Sequence, residues 1–112
     1  MDDETAKRAA ENEATFRRYN EEIERSAQEL GFTDPIPFIC ECAVGACREI
    51  VRLTDGQYES VRADATHFFV APGHDSAPGE FEVVERHDHY LVLEKTGAAR
   101  RIVVDRDPRT PK

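Results

Sequence analysis

The stretch FICECAVGACREIVRL, residues 38–53, places three cysteines between two short segments that suit β-strands. Residues 49–53 alternate polar and apolar side chains, as a half-buried strand does. Pro35, Ile36 and Pro37 start an extended segment ahead of the stretch, and Gly45 suits a tight turn near its middle. The pattern predicts a β-hairpin with the cysteines in and beside its turn, which is the usual arrangement of a zinc knuckle.

The spacing of Cys40, Cys42 and Cys47 allows all three thiols to reach one ion. Side chains two residues apart on a strand point to the same side, with Cα atoms about 6.6 Å apart, so Cys40 and Cys42 should converge. A four-residue turn would then bring Cys47 back beside them. Zinc in a structural site takes four ligands, so we expect Zn²⁺ bound by these thiols and by one ligand from elsewhere in the chain.

Four histidines are candidates for the fourth ligand. His74 is the first choice, because the rigid Pro-Gly turn before it would present the imidazole at a strand end. His67 lies on a predicted strand, where a packed or surface role is more common, and His87 and His89 flank a predicted hairpin turn. Three thiolates and one imidazole complete a zinc site, whereas an iron–sulfur cluster usually requires four thiolates.

Three other interpretations of the cysteines stay open on the sequence. The thiols can pack as small apolar side chains without a ligand. Cys40 can form a reversible disulfide with Cys42 or Cys47, as in a redox sensor. A catalytic zinc ion would need an open position and a nearby acid or base, for which Glu41 is the candidate. On a strand, however, Glu41 points away from Cys40 and Cys42, which disfavours that chemistry.

Residues 5–30 are predicted to form one long helix with a narrow stripe at seven-residue spacing. The stripe comprises Ala9, Phe16, Ile23 and Leu30, with Asn12, Tyr19 and Ser26 between them. It predicts packing against the protein's own sheet. The alternative is a coiled-coil seam to a second copy or a partner, which Asn12 and Ser26 disfavour.

Local signals mark the end of this helix and its exposed face. Gly31 suits the position just past the last helical turn, and Pro35 prevents continuation of the helix. A charged group is predicted to face solvent. It comprises Glu21, Glu22, Glu24 and Arg25.

The remainder of the chain is predicted to form one short helix and several short strands. Thr54 and Gln57 form a capping box for a helix that ends near Ala63. Strands are predicted at 67–71, 81–85 and 90–94, the last two pairing as a hairpin that turns near residues 88–89. An edge strand is expected at 102–104, and residues 105–112 are predicted to be disordered.

The predicted fold class is α+β: a long N-terminal helix packed on a small antiparallel sheet, with a zinc-knuckle hairpin. Residues 1–97 are expected to form a single zinc-binding domain and 98–112 a basic, partly disordered C-terminal tail.

Charge and cysteine content restrict the partners and the compartment. The net charge is −8, and residues 32–96 alone carry twelve acidic and five basic residues, a net −7. Such a surface repels nucleic acid and anionic lipids, so the expected partner is a protein with a basic surface. The N-terminus has no apolar signal segment, no run is long enough to span a bilayer, and an odd cysteine count argues against a disulfide framework. We therefore expect a cytoplasmic protein.

The segments FICECAVGACREIVRLTDGQYESVRADATHFFVAPGH and VVERHDHYLVLEK resemble a group of small uncharacterised bacterial proteins of actinobacterial type. The shared features are an ENEATFRRYNEEIE-like helix, a CEC knuckle, an LTxxxYExVR helix and a VxPGH turn, over roughly residues 11–96. The resemblance implies this architecture, and it favours ligand roles for Cys40, Cys42, Cys47 and His74. It implies no reaction.

These observations predict a non-enzymatic, zinc-stabilised module for protein interaction or regulation. A thiol redox sensor based on Cys40, Cys42 and Cys47 is the alternative, and a small metallohydrolase is a weaker one. The sequence contains no glycine-rich phosphate loop, and neither Ser60 nor Ser76 lies in a nucleophile elbow.

Overall fold

The computed structural model describes residues 3–44, 46–76 and 79–109. Within them the chain forms three α-helices and five β-strands, with a 3₁₀ turn at His74–Ser76. In chain order the elements are α1 (Asp3–Glu29), β1 (Ile36–Ile39), β2 (Ile50–Leu53), α2 (Asp55–Arg62), β3 (His67–Val70), β4 (Phe81–Arg86), β5 (Leu91–Lys95) and α3 (Gly97–Asp105). The predicted α+β class, with its long N-terminal helix, antiparallel strands and cysteine-bearing hairpin, is confirmed.

Helix α1 ends in the way that its sequence predicts. Gly31 adopts a left-handed conformation with φ of 65°, and its N–H donates to the carbonyl of Gln28. The N–H of Phe32 donates to the carbonyl of Ala27 at 2.9 Å. This pair of hydrogen bonds is a Schellman motif, which satisfies carbonyls that the end of a helix leaves free.

The strands form two antiparallel sheets. Strands β1 and β2 pair as the predicted hairpin, with Ile39 opposite Ile50. The second sheet has the order β3-β5-β4, and its β4–β5 hairpin turns over residues 87–90 as predicted. The N–H of Glu41 donates to the carbonyl of Phe69 at 3.1 Å, which joins the end of the first hairpin to the outer edge of β3.

The main core lies between the two sheets and α2. Phe38 stacks on Tyr58 with ring centroids 4.3 Å apart, and Phe69 meets both rings edge-on. Helix α2 begins with the predicted capping box, in which Thr54 and Gln57 bond each other's backbone N–H groups. The box sets the direction of the helix that carries Tyr58 into this core.

Helix α1 buries a wider face than its apolar stripe predicts, and the C-terminal end of the stripe is exposed. Ala9 and Phe16 of the stripe are buried, but Leu30 is 83% exposed. The buried face also carries four polar residues, namely Glu13, Arg17, Asn20 and Glu24. The assignment of Glu24 to the solvent face is therefore wrong. Apolar periodicity does not reveal this face because its members are polar. Such side chains can be buried at little cost only when other segments supply hydrogen-bond or ion-pair partners.

The strand predicted at 102–104 is also wrong, because residues 97–105 form α3. Ala99 and Val103, one helical turn apart, are buried against Ala10 of α1 and Phe68 of β3. Tertiary packing at helical spacing outweighs the β-propensity of the run Ile-Val-Val.

Residues 105–109 are also ordered, contrary to the disorder predicted for them. Asp107 is buried against Arg62, and Arg109 forms ion pairs with helices α1 and α2. Residues 110–112, the end of the predicted tail, lie outside the described residues.

Candidate metal centre

Four side chains converge at the turn of the first hairpin: Cys40, Cys42, Cys47 and His74, called here the cysteine–histidine cluster. Their ligand atoms all lie within 4.8 Å of one another. His74 Nδ1 is 3.5 Å from Cys40 Sγ and 3.7 Å from Cys47 Sγ. Sulfur at about 2.3 Å and nitrogen at about 2.0 Å from a tetrahedral ion stand about 3.5 Å apart, so the spacing fits a single ion.

The hairpin positions the cysteines through its backbone. Cys40 directly follows β1, and its N–H continues the β1–β2 ladder by donating to the carbonyl of Glu49 at 2.9 Å. The chain then turns, with the N–H of Cys47 donating to the carbonyl of Val44 at 3.0 Å. Cys40 and Cys42 are buried and Cys47 is half-buried. The loop thus encloses two of the thiols and leaves the third near the surface.

The Pro-Gly turn delivers the histidine from the other sheet. Gly73 has φ of 88°, a left-handed conformation that β-carbons disfavour. The N–H of His74 donates to the carbonyl of Ala71 at 3.0 Å, which closes the turn after β3. Ala71 also donates its N–H to Cys40 Sγ at 3.3 Å. The cluster therefore connects the first hairpin to the segment that follows β3.

The other three histidines lie elsewhere. His87 stacks on Tyr90 with centroids 4.3 Å apart and pairs with Glu85. His89 meets Tyr90 edge-on. His67 lies between two carboxylates at one end of the second sheet. Among the described residues, His74 is thus the imidazole that shares a site with the cysteines.

Burial governs the chemistry of the thiols. Desolvation raises the pKa of Cys40 and of Cys42 above the usual range for a thiol. Cys42 and Cys47 raise the pKa of Cys40 further by charge repulsion, and Cys47 does the same to Cys42. Closely packed thiolates would repel one another in a site with little water, and the hydrogen bond between Cys40 and Cys42 offsets part of the rise in the pKa of Cys42. A bound cation would remove that penalty, because it favours the deprotonated form.

Glu41 points away from the cysteines, as strand alternation predicts. Its side chain is fully buried against α1, where Oε2 accepts from Asn20 Nδ2 at 2.9 Å and Oε1 accepts from the N–H of Phe69 at 3.3 Å. Desolvation raises the pKa of Glu41, while the charge of Arg17 and the bond from Asn20 oppose that shift. Glu41 therefore ties the hairpin to α1 and β3, on the side away from the thiols. It is not placed to act on a substrate at the cluster.

Two residues on α1 that the sequence pattern did not assign to the site support the hairpin through side-chain hydrogen bonds. The side-chain amide of Asn20 accepts from the N–H of Ile39 at 2.9 Å and donates to its carbonyl at 2.8 Å, as a neighbouring strand would. Asn12 Nδ2 donates to the carbonyl of Ala43 at 3.1 Å. Asparagine is a poor helix former and competes for backbone hydrogen bonds. Two asparagines inside one long helix were therefore the available signal for a side-chain role.

The four side chains of the cluster face one another closely enough to enclose a single ion. A groove of about 440 Å³ runs between α1 and the end of α3, and its lining contains none of the four. The donor set is three sulfurs and one nitrogen, which is the ligand chemistry of a closed zinc site.

Helix α1 is long but carries charges throughout, and in the described part of the chain no helix is apolar enough over sufficient length to cross a membrane. Comparison of the chain with models of known protein families, with curated proteins and with solved structures gave no match.

Proposed function

We propose that this protein is a non-enzymatic module stabilised by one structural Zn²⁺ ion and acting through contact with another protein. The convergence of three sulfurs and His74 Nδ1 within 4.8 Å is the observation that carries this proposal. Thiolate-rich sets with one imidazole are typical of structural zinc. Membership of the actinobacterial-type group, and a cytoplasmic location, remain part of the same proposal.

The ligand count supports a structural role over a hydrolytic one. A catalytic zinc ion keeps a position for water, and four protein ligands fill the tetrahedron. Glu41, the candidate acid or base, is buried on the far side of the strand. The ion would instead fasten the β1–β2 hairpin to the turn after β3, two segments separated by a long stretch of chain.

The proposed partner is a protein with a basic surface, because the chain carries a net charge of −8. Beside the cluster, Val44 is 45% exposed and Ile50 is 51% exposed. Exposed apolar residues beside the cluster suit the centre of a small contact. Bound zinc would then fix the conformation of the loop that carries this contact surface.

Native mass spectrometry of untagged protein tests the zinc model. We expect one zinc ion per chain, loss of folding on chelation, and weaker retention in His74→Ala. The matched control is His89→Ala, which removes an exposed imidazole outside the cluster and should keep zinc as the wild type does. A metal-free protein that folds as well as the loaded one would refute the structural role.

A thiol redox sensor is the second candidate, and the partial exposure of Cys47 beside two buried thiols favours it. Peroxide would oxidise two of the thiolates to a disulfide, with its own reduction to water, and the ion would leave. Treatment of the zinc-loaded protein with mild peroxide, followed by a zinc-release assay, tests this role. Rapid release that a dithiol reductant reverses supports it, and retention of zinc under those conditions excludes it.

A further inference from the structure

A second group of ligand-type side chains lies at the opposite end of β3 from the cysteines. It comprises Asp64, His67 and Glu94, called here the histidine–carboxylate cluster, whose ligand atoms lie within 4.8 Å of one another. His67 Nε2 is 3.5 Å from Asp64 Oδ2 and 3.3 Å from Glu94 Oε1. Ligands about 2.1 Å from one ion are about 3.0–3.5 Å apart, so one ion can bridge all three.

The fold holds each member in place. His67 and Glu94 are directly opposite on β3 and β5, so their side chains share one face of the sheet. Asp64 accepts through Oδ1 from the N–H of Thr66 at 2.9 Å and from its hydroxyl at 2.7 Å. These bonds lower the pKa of Asp64 and leave Oδ2 facing the imidazole.

The same sheet face carries an excess of negative charge. Glu82 on β4 is directly opposite Glu94 on β5, and like charges in that position destabilise a sheet. Among the described residues, the ion pairs of Asp64 and Glu94 are both made with His67, while Arg100 contributes only a longer-range attraction to Asp64. The imidazole of His67 therefore lies between two carboxylates, with a third, Glu82, beyond Glu94 on the next strand.

We propose that His67, Asp64 and Glu94 bind an exchangeable first-row divalent cation such as Zn²⁺. Imidazole selects transition metals and carboxylates add charge. Three protein ligands leave a coordination position for water. The side chains of His67, Glu94 and Asp64 are 18%, 31% and 47% exposed, so the ion would exchange with solvent, unlike one held by the cysteine–histidine cluster.

Calorimetric titration of Zn²⁺ into the protein that already holds its thiol-bound zinc tests this site. We expect a further equivalent of weaker affinity, which His67→Asn and Glu94→Gln each abolish. The control His89→Asn should retain it. No uptake by the wild type at millimolar zinc would overturn the proposal, and so would unchanged uptake by His67→Asn, which would mean that His67 forms an ion pair only.

A second measurement does not depend on the folding of any variant. Added Zn²⁺ should shift the ring resonances of His67 in the wild-type NMR spectrum and leave those of His87 and His89 unchanged. Shifts confined to the latter two would contradict the site. Co²⁺ separates the two centres, because it gives sulfur charge-transfer absorption with the cysteines and none with the histidine–carboxylate cluster.

Discussion

At the residue scale, Asn20 links the long helix to the strand that leads into the cysteines. Its amide makes three hydrogen bonds, two with the backbone of Ile39 and one with Glu41. Asn20 and Glu41 are buried and Ile39 is half-buried, and an unpaired polar atom away from water costs about 1–3 kcal/mol. Asn20 is therefore expected to contribute more to the free energy of unfolding than a single hydrogen bond would.

Replacement of Asn20 by alanine should lower the free energy of unfolding by about 3 kcal/mol, because one buried and two partly buried partner groups lose their bonds. Urea unfolding of the zinc-loaded protein measures the loss. Asn12→Ala is the matched control, since it removes one bond, to Ala43, and should cost about 1 kcal/mol. Equal losses in the two variants would contradict the role given to Asn20.

Glu13 makes stability depend on pH. Burial raises its pKa from 4.5 to about 7, against the opposing effect of Lys95, whose Nζ lies 2.6 Å from Oε1. Between those two pH values the folded protein holds a proton that the unfolded chain has released. The contribution of Glu13 is therefore complete below about pH 4.5 and is lost as the pH rises to about 7.

We expect Glu13→Gln to remove this dependence, which amounts to about 3 kcal/mol across the window. The measurement is urea unfolding of variant and wild type at about pH 5 and pH 8, taken as a difference so that common effects of zinc affinity cancel. The exposed Glu22→Gln serves as the control. If the difference between Glu13→Gln and the wild type is the same at both pH values, the pKa of Glu13 is not raised.

At the scale of elements, the ends of helices were easier to predict than the faces they bury. Gly31 and the Thr54–Gln57 box depend on backbone geometry that only a few residue types supply, so their local sequence was sufficient. The buried face of α1 depends on which polar partners other segments bring, and Arg17 illustrates this by donating to the carbonyls of Ala65 and His67. Such pairings are not visible in a single segment.

The left-handed position at the end of α1 gives a prediction with an internal control. Gly31→Ala should cost about 1 kcal/mol, because φ is 65° and no neighbouring atom within 4 Å complicates the comparison. Gly56→Ala, inside α2 and without positive φ, should instead be neutral or stabilising. Thermal unfolding of both variants measures the contrast, and destabilisation of similar size in both would rule out the conformational explanation.

At the scale of the whole molecule, the C-terminal segment closes the structure over its helices. Arg109 reaches Glu21 and Glu24 on α1 and Glu59 on α2, with its Nε 2.5 Å from Glu21 Oε1. Glu59 and Glu21 raise the pKa of Arg109, and its hydrogen bond in turn holds the pKa of Glu59 at about 2. Burial and the neighbouring Glu59 raise the pKa of Glu24 to about 9, so Glu24 is protonated at neutral pH. One exposed arginine thus neutralises acidic residues from two helices.

Arg109→Ala should destabilise the protein by about 1 kcal/mol and loosen residues 105–109, with a larger effect at low salt because the carboxylates of Glu21 and Glu59 lose their common cation. Hydrogen exchange of that segment and thermal unfolding at two salt concentrations measure the change. Arg25→Ala, which removes only an exposed pair with Glu22, should have almost no effect. Unchanged exchange in Arg109→Ala would show that the segment is held by Asp107 instead.

The candidate site was more accessible to sequence reasoning than the complete architecture. The two-residue spacing of Cys40 and Cys42 and the Pro-Gly turn before His74 act over a few residues, and the structure brings these three residues and Cys47 together. The position of α3 depends instead on contacts with Ala10 and Phe68, far away in the chain. A β-rich local sequence could not reveal that packing.

The amide of Asn20 also has a consequence for association between copies of the chain. An unpaired strand edge can template pairing with another polypeptide, and here one side chain occupies both backbone groups of Ile39. Its removal would leave an N–H and a C=O of Ile39 without partners at the edge of β1 that faces α1. The same asparagine that stabilises the hairpin thus occupies the backbone groups that a second polypeptide would need in order to extend the sheet.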